Sequence, residues 1–117
     1  MKRVDIYGIK NCDTMKKAFD WLKSKGIAYT FHDYKTEGVS PDKLQEWIQK
    51  LDLWKVLNTK SSTWRETLDT EKATIVGENE AIPFLAENTS AIKRPVVEYE
   101  GGYLLGFHPD EWETALK

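Results

Sequence analysis

Apolar and polar positions alternate from Val4 to Tyr7, with Val4 and Ile6 on one side, which predicts a short strand. Gly8 to Cys12 then reads as a turn. Met15, Ala18, Phe19 and Leu22 follow at i, i+3, i+4 and i+7, the stripe of an amphipathic helix. Gly26, after Lys23 and Lys25, stands where a left-handed helix cap belongs. Ala28 to Tyr34 is rich in aromatics and reads as a second strand. Strand, helix and strand make a βαβ unit, expected to be parallel and right-handed.

The middle of the chain is helical. Ser40-Pro41 supplies an N-cap and a first-turn proline, and Leu44, Trp47, Ile48 and Leu51 form the apolar stripe. Leu53, Val56 and Leu57 suit a further short turn after Asp52. Thr63-x-x-Glu66 has the form of a capping box, predicting a helix through Leu68. Glu80 to Glu87 reads as another helix, with Pro83 in or near its first turn. Near the end, Val96–Tyr99 and Tyr103–Leu105 flank Glu100-Gly101-Gly102, a hairpin signal. Pro109, then Asp110 and Glu111 ahead of Trp112, Ala115 and Leu116, predicts a closing helix. The order βαβ, helices, ββα suits one mixed sheet covered by helices.

A chain of 117 residues fits one domain, here 1–117 with a helical insertion at about 40–92. Forty per cent apolar content, with five Trp, five Tyr and four Phe, is enough for a core without metal or disulfide. A net charge of −2 gives no general pull toward nucleic acid or anionic membranes, so neither is expected as a partner. No apolar run approaches the ~20 residues that span a bilayer, and Met1-Lys2-Arg3 leads into no secretory apolar stretch. The single cysteine cannot form an internal disulfide and suits a reducing compartment. A cytoplasmic monomer is the expectation.

That cysteine, Cys12, carries the chemistry. Alone, a cysteine is most often a small buried apolar residue. Cys12, however, lies in the polar turn Lys10-Asn11-Cys12-Asp13-Thr14, directly before a helix whose free N–H groups favour an anion. Lys10, Lys16 and Lys17 add positive charge, while Asp13 opposes it, less so if its carboxylate caps the helix. These surroundings lower a thiol's pKa and make it a nucleophile. The same turn suits an oxyanion, as helix starts generally do. His32 and His108 lack metal-ligand spacing and read as structural, so no metal is expected. Trp64-Arg65 reads as part of a capped helix or as the rim of a cleft. Lys16-Lys17 reads as a solvated face.

Tyr7-Gly8-Ile9-Lys10-Asn11-Cys12-Asp13-Thr14, with Lys93-Arg94-Pro95-Val96-Val97 ahead of a hairpin, resembles the arsenate-reductase-like (ArsC) family of thioredoxin-fold proteins. The resemblance runs from about Val4 to the last helix. It is nearest to a short bacterial branch regarded as glutathione-dependent thiol reductases, and more distantly reaches the Spx-type regulators. It implies an α/β, thioredoxin-like (glutaredoxin-type) mixed sheet, with Arg94 facing Cys12 and Pro95 as a cis-proline opening the third strand. It further implies catalysis by Cys12 and Arg94, and a substrate bound by Lys10, Asn11, Asp13, Thr14 and Pro95, with Asn58 and Lys60 near. Glutathione would be a co-substrate, no cofactor would be bound, and glutathione or a glutaredoxin would return the thiol.

Two departures bear on the reaction. Where arsenate reductases of this family carry further arginines, this chain has Asn58, beside Lys60, and His108. Where Spx-type regulators carry a second cysteine, three residues on, it has Met15. An internal dithiol switch is therefore excluded, and a second thiol must come from outside. The readings left open are a monothiol reductase, an arsenate reductase, and a non-enzymatic interaction or regulatory module.

Overall fold

In a computed structural model, which describes residues 3–116, the opening alternation forms strand β1, Val4–Gly8. Val4 and Ile6 enter a core shared with Met15, Ala18 and Leu22, the buried stripe of helix α1, Asp13–Ser24. The helix ends as the glycine predicted. Gly26 adopts φ +69°, its N–H donates to the Lys23 carbonyl (3.1 Å), and that of Ile27 to Leu22 (3.0 Å). This paired arrangement satisfies two of the carbonyls a helix end leaves open.

Strand β2, Thr30–Asp33, lies parallel to β1, with Thr30 opposite Asp5 and His32 opposite Tyr7. The strand is shorter than the Ala28–Tyr34 expected. Asp33 ends it: its Oδ1 accepts the Lys35 N–H (2.9 Å) and its Oδ2 the Thr36 hydroxyl (3.4 Å). Such a side-chain acceptor competes with the sheet ladder. The chain turns into the short helix α2, Tyr34–Glu37, which buries the Tyr34 ring.

The described residues divide into two units, one up to Glu37 and from Arg94 onward, the other Gly38–Lys93. The second unit is helical throughout. Helix α3, Pro41–Leu51, starts on Ser40, whose Oγ accepts the Lys43 N–H (3.1 Å), and buries Leu44, Trp47 and Ile48. Helix α4, Leu53–Val56, follows at once, with Asp52 between them at φ +94°.

Helix α5, Ser62–Glu66, is capped by Ser61 and not by Thr63, since Ser61 Oγ accepts the Trp64 N–H (3.2 Å). It stops before Leu68, which is exposed and precedes helix α6, Asp69–Lys72. The expected helix from Thr63 to Leu68 is thus replaced by two shorter ones. Helix α7 spans Glu78–Glu87. It begins earlier than predicted, so Pro83 lies in its second turn and withdraws the N–H that would meet the Asn79 carbonyl. Helix α3 packs on α4 and α7. A 3₁₀ turn, Thr89–Ala91, leads to Ile92, which bridges to Leu57.

Back in the first unit, strand β3, Val96–Tyr99, pairs antiparallel with β1, and strand β4, Gly102–Leu105, pairs antiparallel with β3. The sheet order is β2-β1-β3-β4. Tyr99 faces Gly102, leaving Glu100-Gly101 as a two-residue turn. Helix α8, Pro109–Leu116, buries Trp112 and Leu116. The Trp112 indole donates to the Gly106 carbonyl (3.1 Å) and meets Trp21 and Phe107 edge-on. The indole N–H is therefore satisfied where it is buried.

Candidate functional site

Helix α1 begins at Asp13, so Cys12 is its N-cap, in extended backbone (φ −136°, ψ 133°). Its carbonyl accepts the first helical bond, from Lys16 (2.9 Å). Asp13, foreseen as a possible cap, is instead the first helical residue: the extended turn residue before it is the one whose carbonyl opens the helix. Gly8, at the end of β1, lets α1 pack close. A Cβ there would stand 2.4 Å from the Met15 sulfur, so the absent side chain admits Met15 to the core.

The Cys12 thiol is free and half-buried. Arg94 donates from Nε to its Sγ at 3.4 Å, although the two residues are 82 apart in sequence. The topology explains the meeting. β3 runs antiparallel to β1, with Val96 opposite Tyr7, so the residues just before β3 arrive where β1 ends. The Arg94–Pro95 peptide is cis, Pro95 is buried, and its carbonyl accepts the Gly106 N–H (2.8 Å).

Burial pushes the Cys12 thiol's pKa up, but the Arg94 hydrogen bond, the Met15 and Thr14 amides and the Arg94 charge together bring it below its ordinary value. The sulfur makes no side-chain cap hydrogen bond to those amides, and among the described residues Arg94 is the side chain that donates to it. Lys10, Lys16 and Lys17 are exposed, where water and salt screen their charge. What stabilises the thiolate is one guanidinium and the start of a helix.

Lys10, Asn11, Asp13 and Thr14 surround the sulfur in sequence and are exposed, Lys10 and Asn11 on the turn, Asp13 and Thr14 in the first turn of α1. Asn58 and Lys60 lie in the helical unit. Asn58 Oδ1 accepts the Lys60 N–H (3.1 Å) and the Asn58 carbonyl accepts the Ser61 N–H (3.0 Å), so Asn58 shapes the turn into α5. Trp64 packs edge-on against Trp54 and Phe84, with the Lys72 ammonium 5.5 Å from its ring centre. His108 is exposed, and its carbonyl accepts the Trp112 N–H (3.0 Å).

Tyr34, read from the sequence as the end of a strand, is instead a buried phenol on α2. Burial raises its pKa against the opposing positive charge of Arg94. The local signal for the turn into α2 is Asp33, whose Oδ1 accepts the Lys35 N–H as in an Asx turn. Among the described residues, no three His, Cys, Asp or Glu side chains are grouped to hold a metal ion. Nor is any helix among them long and apolar enough to cross a membrane.

The strand order, and a sulfur at the mouth of the first helix, define a thioredoxin-like fold of the glutaredoxin type. Within that class the chain belongs to the ArsC family, whose family model matches residues 7–115. It is 42% identical to the YFFB (PA3664) protein, whose solved structure superposes with a TM-score of 0.93 over 97% of this chain and 99% of that one. An uncharacterized protein of Haemophilus influenzae is 39% identical over 97% of this chain and 98% of its own length. The global transcriptional regulator Spx 1 of Lactococcus lactis is 23% identical, covering 97% of this chain and 88% of that protein.

Proposed function

We propose that the protein is a monothiol reductase that works through the Cys12 thiolate, with glutathione or a glutaredoxin as external reductant. The observation that carries this reading is the Arg94 Nε–H donated to Cys12 Sγ at 3.4 Å, at the N-terminus of α1. A thiolate so held attacks one sulfur of a disulfide. The old S–S bond breaks as the Cys12 mixed disulfide forms, and the departing thiolate takes a proton from solvent. A glutathione thiolate then attacks the group held on Cys12, carries it away as a new disulfide, and returns Cys12 as thiolate. The outside thiol is obligatory, because the position three residues on is Met15, fully buried.

Each neighbouring group has a part in this scheme. Arg94 keeps the sulfur ionised and positions the carboxylate of an anionic partner. The Asn11–Thr14 turn offers backbone N–H groups to negative charge, and Lys10 adds electrostatic attraction. Pro95, joined to Arg94 by a cis peptide, fixes the backbone that presents Arg94 and would border the bound substrate.

Arsenate reduction makes a larger demand, since a multiply charged oxyanion needs several converging donors. Asn58 and His108 stand where the family's arsenate reductases place further guanidinium groups, so weak or absent arsenate turnover is expected. The likeness to a transcriptional regulator across nearly the whole chain favours one other reading, a protein-interaction module. Intact-mass analysis after incubation with oxidised glutathione separates them. The reductase reading expects one glutathionyl group on the wild type and none on Cys12→Ser. A wild type that takes up no glutathione would favour the interaction module, and robust Cys12-dependent arsenate turnover would reverse the order of the two enzyme readings.

A further inference from the structure

The sheet carries a second organised cluster of ionisable groups, centred on His32 and independent of any role for Cys12. Both ring nitrogens of His32 face carboxylate oxygens: Nε2 lies 2.9 Å from Asp5 Oδ1 on β1, and Nδ1 lies 3.1 Å from Glu37 Oε1 on α2. Tyr7, two residues along β1 from Asp5 and on the same face, stacks on the imidazole at 4.4 Å and 15°, which fixes the plane of the ring. The Tyr7 hydroxyl donates in turn to Glu98 on β3 (3.2 Å), and Arg3 Nε bonds the other Asp5 oxygen (2.8 Å).

An ionised carboxylate only accepts hydrogen bonds, and a neutral imidazole donates from one nitrogen alone. With two carboxylates in place, one of the two contacts would then set lone pair against lone pair. Both are attractive only when both nitrogens carry protons. We propose that His32 is a proton-dependent clamp, which ties helix α2 to strand β1 while its imidazole is doubly protonated and releases α2 when it loses a proton.

The two carboxylates are unequal, and that decides which contact opens. The Asp5 side chain is 7% exposed and held between Arg3 and His32, whereas that of Glu37 is 52% exposed. A buried carboxylate stripped of a donor is costly, while an exposed one turns to water. The neutral ring therefore keeps its proton on Nε2 for Asp5, and Glu37 lets go. The electrostatics agree: burial lowers the His32 pKa, but the hydrogen bonds and charges of Asp5 and Glu37 outweigh it and leave the net value raised. The clamp thus stays shut past the pH at which an ordinary histidine, with a pKa of about 6.5, has already opened. What it holds is the turn that carries the buried ring of Tyr34.

The test is an NMR titration of the intact protein, following the imidazole nitrogens of His32 together with amide-exchange protection in Tyr34–Glu37. The expected result is protons on both nitrogens at mildly acidic pH and a midpoint above that of a free histidine. Above that midpoint a single Nε2-protonated tautomer should remain, with protection of the α2 amides falling in step. Glu37→Gln, a change at an exposed position, should lower the midpoint and uncouple α2 protection from the titration. A neutral ring at mildly acidic pH, a midpoint unchanged by Glu37→Gln, or α2 protection indifferent to the titration would each overturn the clamp.

Discussion

Cys12 and His32 occupy the same unit and solve opposite problems. At Cys12 an anion is favoured, by one arginine brought from 82 residues away and by the amides at the start of α1. At His32 a cation is favoured, by two carboxylates, one on the adjoining strand β1 and one on α2, which follows the strand of His32 itself. In both, burial acts against the charged form and is outweighed by hydrogen bonds. The difference lies in how much structure hangs on each. The thiol is half-buried and its charge has one strong partner, while the imidazole joins β1, β2 and α2. The first arrangement suits a group that must meet an outside reactant, the second a group that holds elements together.

The largest effect should follow from breaking the His32 cluster at its buried member. Asp5→Asn keeps the shape but removes the charge that Arg3 and His32 share. It should cost about 1.5–3 kcal/mol, the range for hydrogen bonds to charged groups. Cys12→Ser, by contrast, should stay within about 1 kcal/mol. Urea unfolding of both variants measures this. Equal losses would erase the distinction between a binding cluster and a reactive one.

These two regions also differ in how far the sequence discloses them. The Cys12 turn was legible because its signals are local: strand alternation, a polar turn, and an apolar stripe opening three residues later. Arg94 was accessible only through family resemblance, since no local rule links a residue before β3 to the end of β1. The His32 cluster was not legible. Asp5 and His32 meet because β2 pairs in parallel with β1 in one particular register, and alternation alone does not set that register. Glu37 reaches the ring because Asp33 ends β2 early, where the aromatic run had suggested continued strand. In the helical unit, Thr63-x-x-Glu66 looked like a capping box, yet Ser61 took the cap and left Thr63 inside the helix.

A smaller structural effect, with a clear chemical one, is expected at Arg94. Arg94→Ala removes the sulfur's side-chain hydrogen-bond donor and the guanidinium charge that lowers its pKa. The pH midpoint for alkylation of Cys12 should move upward, with stability changed by about 1 kcal/mol or less. Iodoacetamide rates across pH for the wild type and the variant give the comparison. An unchanged midpoint would leave the helix terminus as the sole support of the thiolate and would remove Arg94 from the site.

The smallest effect is one of slope, and it sets the two sites directly against each other. His32 has a raised pKa in the folded protein. Its contribution to stability is therefore complete below the unfolded value of about 6.5 and is lost as pH rises through the folded one. Cys12 has a lowered pKa. Its contribution is complete above the unfolded value of about 8.5 and is lost as pH falls through the folded one. Around neutral pH the two groups should tilt the stability curve in opposite directions. Urea unfolding at a series of pH values resolves them by difference. The advantage of the wild type over His32→Gln should shrink as pH rises from about 6.5, and its advantage over Cys12→Ser should grow toward about 8.5. If both differences ran the same way, the charge assigned to one of the sites would have the wrong sign. The site at fault is the one whose own titration, by imidazole NMR or by alkylation, moves against its direction.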